Sequence, residues 1–410
     1  MKIDDKTSHN SPSLRFPEFT GEWEKCKLGT LATKVGSGST PKGGDAVYTS
    51  IGHYFVRSQN VGMGFLMLDN IAHINDDIHQ KHKATEIYEN DVLLNITGAS
   101  IGRTAVATKE LEGGNVNQHV CIIRTNSKVN PKFLCDYIQT QRIQNHIKSL
   151  QTGGSREGLN FEQIRSFPIS LPSINEQNKL TCLLDKINER IATQVRLIDR
   201  LQSLMIGLNN SLYEQYGNDI TTSFMELGYS YSGLSGKSAK DFGSGKPFIT
   251  YLNVYSNIIV DETDYQYVRI NDGEKQNIVR TGDVLFTLSS ETPEEVGIGS
   301  VYLGEKEVYL NSFCFGIHIE RNQLAYSPYL SYYVTSTAFR KFIYPFAQGS
   351  TRFNLCKADF EKASIKLPSL DNQKRISAML DCIAEKIQAE KAILEYYNIQ
   401  RQYLLRQMFI

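Results

Sequence analysis

A mixed α/β chain is predicted, with two pseudo-symmetric globular domains joined and followed by two long antiparallel coiled-coil helices. Three observations carry that prediction. An internal repeat recurs at a spacing of 196 residues, two runs of apolar residues advance in steps of three and four over about 40 residues, and each half holds short β-branched or aromatic runs bounded by Gly, Asn or Ser.

The repeat is anchored by Leu171-Pro172-Ser173, which returns as Leu367-Pro368-Ser369. At the same offset Gln177 meets Gln373, Leu184-Asp185 meets Leu380-Asp381, and Leu134, Tyr137 and Arg156 meet Leu330, Tyr333 and Arg352. Further upstream the match loosens. Asp91-Val92-Leu93 corresponds to Asp283-Val284-Leu285 at offset 192, and Leu28-Gly29 to Leu227-Gly228 at 199.

Each copy of the Leu-Pro-Ser element opens a long helix. The first seam runs through Leu184, Ile187, Ile191, Gln194, Ile198, Leu201, Met205, Leu208 and Leu212, and the second through Ile376, Leu380, Ile383, Ile387, Glu390, Leu394, Tyr397, Arg401, Leu404 and Met408. An apolar repeat of 3.5 residues over four heptads is a coiled-coil pattern, and ~40 residues at 1.5 Å rise make a rod of about 60 Å. The alternative is a pair of core helices in a bundle. Pro172 and Pro368 suit sharp helix entries, and Gly217-Asn218-Asp219 ends the first rod. Antiparallel pairing of two copies requires their midpoints to meet, which predicts Gln194 close to Glu390.

Strands are expected at Asp91–Ile96, Val120–Arg124, Asp283–Leu288 and Phe313–Ile319, and proline-led helices at Pro131–Ile147 and Pro328–Ile343. Lys and Arg total 44 against 44 Asp and Glu, so any charged binding surface is local. With 40% hydrophobic residues and no apolar run near the ~18–20 of a membrane span, a membrane protein is excluded. The polar Met1–Asn10 carries no signal-like apolar core, and a cytoplasmic protein is expected. Seven cysteines without a C-x-x-C read as reduced thiols.

No catalytic constellation emerges. Gly233-Leu-Ser-Gly236-Lys237-Ser238 resembles a phosphate loop, but Tyr231 stands where its first glycine belongs. His73, Asp76, Asp77, His79 and His82 match no metal spacing and read as a polar loop. Asn95-Ile-Thr-Gly-Ala-Ser100 reads as a tight turn. Methyltransferase signatures are missing.

Side chains suited to nucleic acid do recur. Arg57, Ser58, Gln59 and Asn60, with Ser100, Arg103, Asn117 and Gln118, form the candidate set of the first half. The second half offers Lys237, Lys240, Tyr251, Asn253, Tyr255, Ser289, Ser290 and Glu291. Gly153-Gly-Ser-Arg156 and Gly349-Ser-Thr-Arg352 precede the two long helices and suit a phosphate.

Taken together, the sequence resembles the DNA-specificity subunit of type I restriction-modification systems. The resemblance rests on Leu14-Arg-Phe-Pro-Glu-Phe19 with Trp23, Asp91-Val-Leu-Leu-Asn-Ile-Thr-Gly, Asn117-Gln118, Gly154-Ser-Arg, Glu176-Gln177, and in the second half Phe242-Gly243, Phe248–Tyr251, Gly282–Phe286 and Glu291-Thr-Pro-Glu-Glu295. It implies target recognition domains at 14–172 and 217–368, a central helix at 173–216 and a C-terminal helix at 369–410. Each domain would read half of a split site in double-stranded DNA. The helices would dock two methyltransferase subunits, and restriction subunits would join. S-adenosylmethionine, ATP and Mg would belong to those partners, leaving this chain non-catalytic. Asn311-Ser312 replaces Asn117-Gln118 in the second half, a departure from the pattern. The rival readings are a stand-alone DNA-modifying or DNA-cleaving enzyme and a coiled-coil scaffold that never touches DNA.

Overall fold

A computed structural model describes residues 10–151 and 158–410. It divides into two compact units, Met1–Gln194 with Ile393–Ile410, and Val195–Ala392. The expected mixed α/β class is observed, and the long helices span Ile174–Tyr216 and Leu370–Gln407. No helix of the described residues is long and apolar enough to cross a membrane.

In the first unit an antiparallel sheet orders its strands Ala32–Ser37, Val120–Thr125, Val92–Asn95 and Thr104–Val106. The run Val92-Leu93-Leu94-Asn95 is fully buried because both faces of the sheet are covered. Side chains alternate across a strand. Val92 and Leu94 therefore enter a core with Phe133, Leu134 and Ile138 from the adjacent helix, whereas Leu93 packs with Val56, Val61 and Val116 on the other face. A second sheet supplies that other face. Its middle strand His53–Val56 pairs antiparallel with Ala72–Ile74 and parallel with Asn115–Val116.

The second unit repeats this plan. Its main sheet runs Gly228–Ser232, Cys314–Ile319, Val284–Thr287, Gly299–Val301, and its smaller sheet sets Phe242–Ile249 between Tyr265–Val268 and Tyr309–Leu310. Val284 and Phe286 face the helical core, and Leu285 faces the other.

The repeated sequence marks prove to be structural fasteners. Gln177 and Gln373 are fully buried. Gln177 accepts the Asn130 N–H at 2.8 Å and donates to the carbonyls of Pro172 at 2.9 Å and Lys128 at 3.1 Å. Gln373 does the same with the Tyr326 N–H at 2.8 Å and the carbonyls of Pro368 at 2.9 Å and Leu324 at 2.8 Å. Each amide staples the start of a long helix to the loop ahead of a proline-led helix. Asp91 and Asp283 close matching turns, accepting the N–H of Tyr88 and of Arg280, each at 2.8 Å. Asp91 also meets the Arg124 guanidinium at 2.8 Å. Asp283 instead meets Tyr231 at 2.7 Å and His318 at 2.8 Å, and burial raises its carboxyl above the usual range.

Two expectations are corrected. The offset of 199 for Leu28-Gly29 gives way to 196. Short helices Leu28–Leu31 and Phe224–Leu227 both end immediately before an edge strand, so Leu31 matches Leu227. The single helices expected from Pro131 and Pro328 are each broken. Pro131–Gln139 stops at Thr140, whose backbone is extended and whose hydroxyl donates to the Tyr137 carbonyl at 2.7 Å, and Gln141–Gln151 begins anew. Likewise Ser327–Tyr333 precedes Thr337–Ile343, which Ser336 caps by accepting the Phe339 N–H at 3.2 Å.

Along the long helices every seam position is buried or half-buried, including Leu184, Ile187, Ile191, Leu380, Ile383 and Ile387. Part of that burial comes from the heads. Leu180, Leu184, Leu405 and Met408 belong to the core of the first unit, and Leu380 to that of the second, with Met205 and Leu208 packed against it. The midpoint residues Gln194 and Glu390 are both buried, and Glu390 pairs with Lys386 at 2.5 Å one turn earlier. Arg401 is the seam's strongest polar entry. It donates to Asn188 at 2.7 Å and Gln139 at 2.6 Å, and lies 3.8 Å from Asp136. Desolvation outweighs that cation and pushes the buried Asp136 carboxyl up to about 7.

Candidate nucleic-acid interface

In the first unit, backbone hydrogen bonds draw three loops to one edge. The Asn117 N–H donates to the Val56 carbonyl at 3.0 Å, the Ile96 N–H to the His119 carbonyl at 3.0 Å, and the Asn95 amide to the Ser58 carbonyl at 2.8 Å. Ser58, Thr97, Gln118 and His119 therefore sit together. The His119 ring lies 2.5 Å from the Thr97 hydroxyl and 3.1 Å from the Gln118 amide, whose carbonyl also accepts from Thr40. Gln59 and Gln118 are exposed, Ser58 half-buried, and Arg57 lies 5.5 Å over the Tyr48 ring. Half-buried Ser100 ends the short Gly98–Ser100 turn of the same edge, and Arg103 beyond it is exposed. Gly153–Arg156, including the candidate Arg156, lies outside the described residues.

The second unit builds the equivalent cleft more fully. Tyr251 donates to the Ser289 carbonyl at 2.9 Å and stacks on Tyr255 with ring centres 6.0 Å apart. Arg352 donates to the Ser289 hydroxyl at 3.2 Å and lies 5.7 Å over the exposed Phe313 ring. Ser290 donates to the Glu295 carboxylate at 3.0 Å. With the Tyr255 hydroxyl, that bond holds Glu295 below the ordinary carboxylate range. Tyr251, Ser289, Ser290 and Arg352, scattered over 102 positions of sequence, thus line one opening with Glu291 and Glu295. Arg352 reaches it because Ala347–Gln348 and Phe353–Leu355 form a hairpin beside Ser289–Ser290. Its tip begins at Gly349, with φ at +144° and a Cβ position only 2.1 Å from the Arg352 carbonyl, so only glycine fits.

Four candidate readers are corrected to structural roles, being engaged inside the head: Asn60, Asn117 and Asn253 are buried with backbone partners, and the charge of Lys237 is paired. Asn60 accepts the Arg57 N–H at 3.0 Å and donates to the Met67 carbonyl at 2.9 Å. Asn253, its counterpart, is fully buried and ties together Asp261 and Asp264 through their backbones. Buried Asn117 accepts the His119 N–H at 3.0 Å, and Asn311 accepts the Phe313 N–H at 2.9 Å in the same turn. The departure at Asn311-Ser312 therefore concerns only the exposed second residue. Lys237 is buried against Glu274 at 2.5 Å, which it holds near a pKa of about 2, while Lys240 stays exposed.

Sequence reasoning missed Glu295 and Phe313 as cleft residues, while Tyr255, a candidate from sequence, stands in the cleft. The signal available was positional. Gly98–Ser100 and Pro293–Glu295 are matching turns of the two main sheets, so Glu295 stands where the candidate Ser100 stands.

Comparison with known proteins agrees with this duplicated plan. The sequence profile of the type I restriction modification DNA specificity domain matches residues 20–203 and 234–396. The type I restriction enzyme EcoBI specificity subunit of Escherichia coli is 24% identical over 135 residues, which cover 32% of this chain and 28% of that subunit. The putative type I restriction enzyme MjaX specificity subunit of Methanocaldococcus jannaschii is 20% identical over 95% of both chains. Among solved structures, a chain described under complex assembly and conformational transition of the type I R-M system superposes with a TM-score of 0.59 at 19% identity, covering 94% of this chain and 97% of that one. With the profile matched in both halves and over most of its length, the chain belongs to the type I restriction modification DNA specificity domain family.

Proposed function

We propose that this chain is the non-catalytic specificity subunit of a type I restriction-modification complex. Each head meets double-stranded DNA at its cleft edge and reads one half of a split, asymmetric site. The two long helices pair antiparallel as a coiled coil, set the spacing of the half-sites and dock two methyltransferase subunits, with restriction subunits joining. S-adenosylmethionine, ATP and Mg belong to those partners, and the complex works in the cytoplasm. Support for helix pairing comes from the first unit, where Arg401 bonds Asn188 and Arg190 lies 6.0 Å over Tyr397, an order that runs oppositely along the two helices.

One observation carries the DNA reading. The two heads share a scaffold but differ in the side chains at matching positions of the same edge: Ser58 against Tyr251, Thr97 against Ser289, His119 against Phe313. One backbone frame with two sets of side chains suits two different half-sites. Replacing Met1–Leu171 by the corresponding segment of another family member, in complex with its methyltransferase, is expected to change one half of the methylated site and leave the other intact. A site altered in both halves, or in neither, refutes it.

A further inference from the structure

The cleft of the second unit carries opposite charges side by side on adjacent residues. Ser289 holds the Arg352 guanidinium, and Ser290 holds the Glu295 carboxylate. A phosphate does not suit this opening, since Glu291 and Glu295 both line it and an ionised carboxylate repels an anion and only accepts hydrogen bonds. Such a group needs a donor. On the major-groove edges of DNA the only donors are the exocyclic amines of cytosine and adenine. Beside it the planar Arg352 fork calls for two adjacent acceptors, which guanine supplies as O6 and N7. Only a G·C pair presents guanine's two acceptors next to a cytosine amine.

We propose, resting on the DNA-reading function above, that the second head recognises a G·C base pair through the major groove, with Arg352 on guanine O6 and N7 and Glu295 on the cytosine N4 amine. This moves Arg352 from the phosphate role expected from sequence to base reading. The geometry is preset: Phe313 lies beneath the guanidinium, and Tyr255 and Ser290 fix the carboxylate, so little ordering remains at the moment of binding.

The test uses the full chain assembled with its methyltransferase. The modified site is mapped in cells, and binding is measured at two salt concentrations on duplexes changed one base pair at a time. The half-site of the second head is the one that survives exchange of the first. Arg352→Ala and Glu295→Gln are each expected to lower discrimination at one G·C position of that half-site by about 5- to 150-fold. Every other position and the salt dependence stay as they were. Arg352→Lys, which keeps the charge but not the planar fork, retains only part of the guanine preference. Uniform weakening of all duplexes with a shallower salt slope, unchanged base preference in the variants, or a half-site without a G·C pair overturns the proposal. Should Arg352→Ala fail to assemble, the isosteric Glu295→Gln decides it. A wild-type complex without sequence preference in that half-site sinks the DNA-reading function itself, a result distinct from the others.

Discussion

Replacing Gln177 or Gln373 by leucine tests whether the duplicated chain is held by duplicated fasteners. Each glutamine is fully buried and makes three hydrogen bonds to backbone groups, all between 2.8 and 3.1 Å. Leucine keeps nearly the volume and removes the amide, leaving one N–H and two carbonyls without partners. A net ~1 kcal/mol per bond, with a further cost for unpaired buried groups, gives a loss of at least about 3 kcal/mol for either variant. Because one residue lies in each compact unit with no shared partner, the loss should be local and the double variant additive. Hydrogen exchange resolved by peptide is the suitable assay, since two units need not unfold as one. Gln177→Leu should raise exchange in the first unit around Lys128–Asn130 and the start of the long helix, and Gln373→Leu in the second around Leu324–Tyr326. A change below about 0.5 kcal/mol, or equal loss of protection in both units from either single variant, would refute the reasoning.

Two further outcomes are expected. The Asp136 carboxyl, pushed up to about 7 in the fold, binds its proton more tightly than in an unfolded chain near ~3.9, so its stabilising contribution is complete below about pH 4 and is lost as pH rises to about 7. Asp136→Asn should flatten that decline, on the order of a few kcal/mol, in urea titrations at pH 5 and pH 7.5; stability that rises over this window because of Asp136 contradicts the assignment. For the exposed cations Arg103 and Lys240, alanine variants should weaken DNA binding by the assembled complex equally on all sequences and reduce the salt slope by about one each, and an altered base preference in either speaks against a phosphate role.

The amino-acid sequence by itself determined the duplication, the two rods and the places where each rod begins, because these depend on periodicity and on residue pairs that recur at a fixed spacing. Gln177 with Gln373 and Asp91 with Asp283 were legible as repeats for that reason, and each pair does the same work twice. What only the tertiary structure decided was which polar side chains face outward. Asn60, Asn117 and Asn253 carry the same groups as a base-reading residue, and nothing within a few positions tells whether an amide meets solvent or a distant carbonyl. Closure of loops far apart in sequence settles it: Asn95 reaches Ser58 across 37 positions, and Arg352 reaches Ser289 across 63. The same closure brings Tyr255 to Glu295, which Ser290 holds locally, making a charged cleft out of residues from distant loops. Periodicity is a local property of a chain and survives in its sequence, whereas the direction of a loop side chain follows from long-range packing and exists only once the heads have folded.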